Sequence, residues 1–479
     1  MQNKIEIFNN QVIINYNLAY PKSREVLLKS HTFAKFVQYF IEYQETDNAN
    51  MYAYLTKNGE LSSKEAAYDF CHFLRLLSIF TCEELKDEYY LSDKDATLDV
   101  IEEMYRTWRS LQRFGYMKSD NSTDFGINTL VAFDSASNDL FLRTYRLFEE
   151  KLMGRPNLVY RQVQAGTNAC FSVHTLDKIW ADEYAALQDI PMIDTVMLRT
   201  PMILHPKSSK RTGMFTEIDT QPMTYFNKGE SNWFCYPCKV GALLCFVYFN
   251  SKYMSSALSM ANLFELATKE ESAQKPDLVV IFGNDDGNDD TNFYYDKAND
   301  IWVGCISDNP RIEYFGYLKK MCLTLHNLAQ MKKGWLPIHG AFVNIYLKDG
   351  TKKGIMLMGD SGAGKSESIE ALKAAAGDMI REVEVVFDDM GTIHLEDGVP
   401  YGQGTEIGAF IRLDDLDPGT PYRDMDRSIF MAPENPNARM IQPAAPYRVV
   451  VHNHKIDLFA YANNYTNEFG LKKLTVQEV

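Results

Sequence analysis

Gly354-Ile-Met-Leu-Met358 runs directly into Gly359-Asp-Ser-Gly-Ala-Gly-Lys365-Ser366. The second part matches G-x-x-x-x-G-K-[ST], the pattern of a phosphate-binding loop between a strand and a helix. The flanks fit this context, because residues 354–358 form an apolar run of strand length and Glu367–Ala376 is rich in helix formers. The sequence therefore predicts an α/β fold built around a phosphate loop.

The residue types of this loop suit a nucleotide and its metal ion. Glycines allow backbone N–H groups to converge on phosphate oxygens, where side chains would block the approach. Lys365 can reach the β- and γ-phosphates of ATP, and the Ser366 hydroxyl can bind Mg²⁺. The predicted nucleotide-binding residues are Gly359, Asp360, Ser361, Gly362, Ala363, Gly364, Lys365 and Ser366.

A pair of carboxylates follows the loop at some distance. The apolar run Val383–Phe387 ends in Asp388-Asp389, which predicts two carboxylates at the C-terminal end of a strand. Ligands of open α/β sheets bind at that edge, and hard cations take carboxylate oxygen. We expect one or both aspartates to hold the metal of the nucleotide. The alternative is a solvated turn before Gly391.

Upstream of the loop, Glu313-Tyr-Phe-Gly-Tyr-Leu-Lys-Lys320-Met-Cys-Leu-Thr-Leu-His-Asn327 precedes Gly334-Trp-Leu-Pro-Ile-His339. This region resembles the Y-x-G-x-x-K-K-x-x-x-T-x-x-N … H segment of ATP-type phosphoenolpyruvate carboxykinases. The phosphate loop is similar to the family's G-x-S-G-T-G-K-T, Asp388-Asp389 to its paired aspartates, and Asn437-Ala-Arg439-Met-Ile-Gln-Pro443 to its N-T-R-x-x-Y-P. With Lys473-Leu-Thr475 as a last echo, the resemblance covers residues 313–475, about a third of the chain.

The resemblance implies a reaction and a set of site residues. The family converts oxaloacetate and ATP into phosphoenolpyruvate, carbon dioxide and ADP. Lys320, His339 and Asp389 would bind a catalytic Mn²⁺, while Lys365, Mg²⁺ and Arg439 would neutralise the transferring phosphoryl group. Asp388 and His339 complete the catalytic set implied. A neutral amine, an imidazole and a carboxylate form a mixed N/O donor set that suits manganese.

Other interpretations remain open for the same residues. Taken singly, Lys320 fits a solvated helix face and His339 fits a core position. The sequence is also similar to HPr kinase/phosphorylase, which phosphorylates a protein serine and in which the histidine and one aspartate serve base catalysis. A third possibility is a nucleotide-binding protein without catalytic activity.

Composition restricts the class of protein. Lys and Arg number 49 against 64 Asp and Glu, a net charge of −15, which argues against a nucleic-acid partner. The longest apolar stretch, Val240–Phe249, is well short of the ~20 residues of a membrane-spanning helix. The opening residues, Met1 to Glu6, show no basic region followed by an apolar one, so we do not expect secretion. We expect a cytoplasmic protein that acts on a nucleotide and a small molecule. The eight cysteines, including Cys235 and Cys238, are expected to be reduced and structural.

Three regions are predicted along the chain. Residues 1–150 read as mainly helical, with a face formed by Leu98, Ile101, Tyr105, Trp108 and Leu111. Residues 151–310 read as a mixed α/β domain, in which Leu278–Phe282 is a strand. Residues 311–479 would form a P-loop domain like that of the carboxykinases, with the nucleotide and metal sites. The helical region is assigned a packing role or a protein partner.

Overall fold

The computed structural model describes residues 4–8, 10–118, 127–160, 163–359, 379–415, 425–462, 470 and 472–475. In this part of the chain the helices are α1 (Arg24–Lys29), α2 (His31–Asp47), α3 (Ala49–Leu55), α4 (Ser63–Ile79), α5 (Lys94–Ser110), α6 (Ile127–Met153), α7 (Met254–Ser259), α8 (Lys269–Ser272), α9 (Gly316–Lys332) and α10 (Tyr447–Val450). The strands are β1 (Ile5–Phe8), β2 (Gln11–Asn15), β3 (Gln112–Lys118), β4 (Ala169–His174), β5 (Met192–Leu198), β6 (Met202–Leu204), β7 (Thr216–Glu217), β8 (Trp233–Val240), β9 (Leu243–Asn250), β10 (Glu265–Leu266), β11 (Leu278–Asn284), β12 (Thr291–Asp296), β13 (Ile301–Ser307), β14 (Leu336–Leu347), β15 (Lys352–Met358), β16 (Ile380–Glu396), β17 (Val399–Gly404), β18 (Gly408–Arg412), β19 (Ile429–Met431), β20 (Arg439–Pro443), β21 (His454–Lys455) and β22 (Leu458–Tyr461). The fold is therefore mixed α/β, as the sequence predicts.

The helices α1 to α6 pack around one end of the large sheet, for reasons visible in the sequence. Helix α4 begins with a capping box, in which Ser62 and Glu65 each accept from the other's backbone N–H. Helix α5 has the predicted apolar face, with Ile101 and Trp108 buried against the neighbouring helices. Amphipathic helices of this kind are stabilised mainly by the packing of that face.

The largest sheet has twelve strands in the order β1-β2-β3-β4-β5-β8-β9-β11-β13-β12-β7, with β10 paired to β8. Strand β3 of the N-terminal region pairs in parallel with β4. The boundary expected at residue 150 therefore lies between strands of a single sheet. The predicted strand Leu278–Phe282 is the centre of β11, which is fully buried between β9 and β13.

Two smaller sheets follow. A six-stranded sheet has the order β21-β17-β16-β14-β15-β22, and a four-stranded sheet has the order β18-β20-β19-β6. Strand β6 comes from the region 151–310 and pairs with β19 of the C-terminal region. The boundary expected at residue 310 is thus crossed by sheet pairing as well.

Helix α9 connects these layers. It contacts β8, β11 and β13 of the large sheet and β14 and β16 of the six-stranded sheet. Its residues Leu318, Met321 and Leu325 are fully buried in a core that also contains Phe282 and Ile441. Because it is enclosed by both sheets, α9 holds its side chains in fixed positions between them.

The structure also shows the longest apolar stretch, the character of the described helices and the state of the cysteines. Val240–Phe249 is split by a turn at Gly241 into β8 and β9. Among the described helices, none combines the length and apolar character needed to cross a bilayer. All eight cysteines are free thiols, and Cys82 is the one that is not fully buried.

Candidate active site

Strand β15 leads into the phosphate-loop sequence and pairs with β14 and β22. Strand β14 carries the candidate residue His339 to the end of β15. These two strands are antiparallel, and Gly340 lies opposite Met358. The Gly359 N–H donates to the carbonyl oxygen of His339 at 3.5 Å. His339 therefore lies next to the point where the loop sequence begins.

Strand β16 brings the aspartates to the other side of β14. Asp389 is in register with Gly340, and Asp388 with Ala341. The expectation that the two aspartates end a strand is wrong, because β16 continues to Glu396. The charges interrupt the apolar run but not the strand, since Thr392 and His394 beyond them are buried again. The carboxylates thus lie in mid-strand, beside the end of β15.

Asp388 and Asp389 differ in their surroundings. Successive side chains of a strand point to opposite faces, so only one of the two can face α9. Asp389 faces it and binds residues of α9 and β14. Asp388, which the sequence assigns to catalysis, is half-buried on the other face.

The candidate metal ligands converge on the Asp389 carboxylate. His339 Nε2 lies 3.0 Å from Asp389 Oδ1, and Lys320 Nζ lies 3.7 Å from Asp389 Oδ2. The side chains of His339 and Lys320 are 40% and 41% exposed, so the cluster is open to solvent on that side. Three stretches that are distant in the sequence therefore meet at one carboxylate.

Two residues that the sequence interpretation missed complete the cluster. Lys319 is buried, and its Nζ lies 2.6 Å from Asp389 Oδ2 and 2.9 Å from Glu406 Oε1. Glu406, between β17 and β18, is buried as well. The predicted lysine, Lys320, is the more distant of the two from Asp389.

The charges of the cluster follow from this arrangement. Burial opposes ionisation of Asp389, but Lys319, the hydrogen bond with His339 and the charge of Lys320 hold its pKa well below the ordinary value. Burial opposes the charge on Lys319 too, yet Asp389 and Glu406 raise its pKa. Burial raises the pKa of Glu406 despite Lys319. Asp389 is thus an ionised carboxylate held beside a protonated Lys319.

Arg439 lies one aromatic ring away from this cluster. Its guanidinium carbon is 5.5 Å from the centre of the Phe410 ring, and Lys319 Nζ is 5.4 Å from the same ring. The Arg439 Nε is buried and makes no hydrogen bond within the described residues. The structure therefore places the predicted arginine on the same Phe410 ring as Lys319, and its Nε has no hydrogen-bond partner within the described residues.

Most of the predicted phosphate loop lies outside the residues that the structure describes. Asp360, Ser361, Gly362, Ala363, Gly364, Lys365, Ser366 and the helix expected over residues 367–376 lie outside the described residues. Gly359 is buried at the end of β15. The structure therefore shows where the loop sequence begins.

His339 and Asp389 supply two donors of the kind that the implied manganese site needs, an imidazole nitrogen and a carboxylate oxygen. Neighbouring donors around a cation with bonds of about 2.1 Å lie about 3 Å apart, close to the His339–Asp389 separation. Lys320 Nζ, 3.7 Å from Asp389 Oδ2, is the nearest amine nitrogen on the exposed side of the cluster. Within the described residues, no group of three or more His, Cys, Asp and Glu side chains could hold a metal. A site here would need the lysine as its third protein ligand.

No protein-family model matches the chain, and no curated protein sequence matches it significantly.

Proposed function

We propose that this protein decarboxylates oxaloacetate and transfers the γ-phosphoryl group of ATP to the resulting enolate, as phosphoenolpyruvate carboxykinases do. The observation that carries the proposal is the meeting of Lys320, His339 and Asp389 beside the end of β15. That strand leads into the phosphate-loop sequence, so the cluster lies beside Gly359, the residue where that sequence starts.

The proposed reaction has two steps. The C–C bond to the leaving carboxylate breaks, carbon dioxide departs, and the electron pair remains as an enolate. The enolate oxygen then bonds to the γ-phosphorus of ATP while the bond to the bridging oxygen breaks and ADP leaves. Both steps place negative charge near the site, which fixed cations stabilise without reorganisation.

The residues have distinct roles in this proposal. Asp389 orients His339 and Lys320 through its two oxygens, while the buried Lys319 fixes Asp389 itself. When bound, Mn²⁺ would supply a Lewis acid for the developing oxyanion. Arg439 and, from the loop sequence, Lys365 would neutralise the transferring phosphoryl group.

The experiment is an assay of the full-length chain with oxaloacetate, ATP, Mg²⁺ and Mn²⁺, in which phosphoenolpyruvate is measured directly by ³¹P NMR. We expect product from the parent chain and at least a 100-fold fall in kcat/KM for Asp389→Asn and for Lys320→Ala. Lys333→Ala, just beyond the same helix and exposed, is the matched control and should retain parental activity. Absence of phosphoenolpyruvate from folded parent protein rejects this substrate pair.

A second candidate is a kinase for a protein serine or another hydroxyl, and the His339–Asp389 pair favours it. A carboxylate bonded to an imidazole is a common arrangement for a general base. In that case Lys320→Ala would leave phosphorylation of the acceptor largely intact, whereas Asp389→Asn would abolish it. Binding of ATP without turnover on any acceptor would indicate a non-catalytic nucleotide-binding protein.

A further inference from the structure

A pocket of about 100 Å³ lies in the N-terminal region, between the first two strands of the large sheet, β1 and β2, and the helices α1, α2, α5 and α6. All of its lining residues fall within positions 5–148, whereas the candidate active site is formed by residues beyond 310. The pocket is therefore a separate feature, and its role is independent of the proposed function.

The walls of the pocket are apolar from floor to mouth. Ile14, Ile101 and Phe148 are buried at its floor, while Pro21 and Phe33 are half-buried at its mouth. A ligand could therefore enter from solvent and leave most of its surface in contact with hydrocarbon and aromatic groups.

Three of the lining side chains direct their polar atoms to partners outside the pocket. Trp108 Nε1 donates to the Ala165 carbonyl at 2.7 Å, and Thr144 Oγ1 donates to the Leu140 carbonyl at 2.7 Å. The Tyr145 hydroxyl donates to Glu102.

Tyr105 also lines the pocket, and its hydroxyl has no hydrogen-bond partner within the described residues. That hydroxyl has almost no accessible surface, so it does not face the open volume. Ordered water needs two to four polar partners, which these walls do not provide. The space suits an apolar occupant.

The shape of the walls favours a flat ring. Trp108 meets Phe36 edge-on at 5.1 Å between ring centres and Phe141 at 5.5 Å. Tyr105 of α5 and Tyr145 of α6 stack in parallel, with 3.9 Å between their ring centres. Aromatic rings prefer such edge and face contacts, and an apolar cavity of about 150 Å³ is known to accept benzene.

We propose that this pocket binds an uncharged molecule whose buried part is a single aromatic ring. The ring would pack between Trp108 and the floor residues, and any substituent would extend through the mouth. Binding would join α2, α5 and α6 to the edge of the large sheet.

The test uses the full chain with benzene as the probe and pyrazine as a polar ring of the same size. We expect benzene to raise the Tm in a concentration-dependent way and pyrazine to have no comparable effect. Thr144→Leu, which fills the buried part of the pocket, should weaken benzene binding at least tenfold. Ala136→Leu, at an exposed position of the same helix, is the matched control and should leave binding unchanged.

Lack of a benzene-dependent Tm shift, or an equal shift in Thr144→Leu, rejects the proposal. If Thr144→Leu does not fold, intermolecular NOEs in the parent chain decide instead. Contacts between benzene protons and the Met104 methyl group, assigned with Met104→Leu, support the proposal. Absence of these NOEs under saturating benzene overturns it.

Discussion

Two adjacent lysines have different roles because of their position on α9. Residues spaced by four lie on one helical face, and Lys319 shares its face with the buried Phe315 and Leu323. Lys320 lies about 100° further around the helix and is partly exposed. The pair therefore divides into a buried lysine held between two carboxylates and a partly exposed one that solvent can reach.

His326, also on α9, should make stability depend on pH. Burial lowers its pKa to about 4, well below the ordinary value of an exposed histidine. Between pH 6.5 and 4 the unfolded chain therefore binds a proton that the folded chain does not. The contribution of His326 to the free energy of unfolding is therefore highest above pH 6.5 and decreases as the pH falls to 4. The total decrease caused by this histidine is about 3 kcal/mol.

Urea unfolding at pH 7 and pH 4.5 checks this expectation. The parent chain should lose about 2 kcal/mol more of its unfolding free energy between these pH values than His326→Gln does. His72→Gln, at an exposed position of α4, should behave like the parent. Equal losses in the parent and in His326→Gln would show that this histidine does not control the pH dependence.

At the scale of elements, the Lys319 ion pairs join helix α9 to strand β16 and to the connection between β17 and β18. Asp389 belongs to β16, and Glu406 lies in the connection from β17 to β18. Removing one partner of a buried ion pair leaves the other charge uncompensated, which typically costs about 3–5 kcal/mol. The helix position and the position of Asp389 are therefore coupled.

We expect Lys319→Met and Glu406→Gln each to destabilise the protein by about 3 kcal/mol, and the double variant by less than the sum. A double-mutant cycle measured by urea unfolding gives the coupling. Lys332→Met is the control, because Lys332 is also on α9 but forms an exposed ion pair with Asp300. This variant should change stability little. Additive effects of the two buried changes would contradict direct coupling.

Strands β14 and β15 approach closely at a glycine beside the site. A Cβ added to Gly340 would lie 2.5 Å from the backbone oxygen of Leu357 in β15. Because the obstacle is backbone, the strands would have to move apart next to His339 and the start of the loop.

Gly340→Ala should therefore destabilise the protein by about 2 kcal/mol and reduce ATP binding, measured by thermal unfolding and calorimetry. Gly402→Ala in β17 of the same sheet is the comparison, because its nearest neighbours are side-chain atoms at 2.9 Å, which can shift. If both alanine variants bind ATP equally well, the close approach at Gly340 is not needed for the nucleotide site.

At the scale of the whole molecule, the N-terminal region is part of the large sheet and not an appended module. Strand β3 pairs with β4 along five residues, and Tyr116 packs against Phe171 and Phe234 of the central strands. Removing residues 1–150 would expose the unpaired edge of β4 and part of the core. Exposed apolar edge strands promote aggregation.

A chain that starts at residue 151 is expected not to form a stable monomer. Size-exclusion chromatography and thermal unfolding, with the full chain as the reference, measure this directly. A soluble, cooperatively unfolding fragment would show that residues 151–479 fold without the N-terminal strands and helices.

Local patterns in the sequence were sufficient to predict the mixed α/β class, the helix of residues 98–111 and the strands that contain Leu278–Phe282 and Gly354–Met358. Each depends on periodicity or on a motif of adjacent residues, which short-range geometry controls. The grouping of Lys320, His339 and Asp389 was expected only from the family resemblance, and tertiary packing brings these three distant residues together. The length of β16, the burial of Lys319, its pairing with Glu406 and the shared sheet across residue 150 were decided by tertiary packing. They depend on contacts between distant segments, whose partners no local pattern specifies.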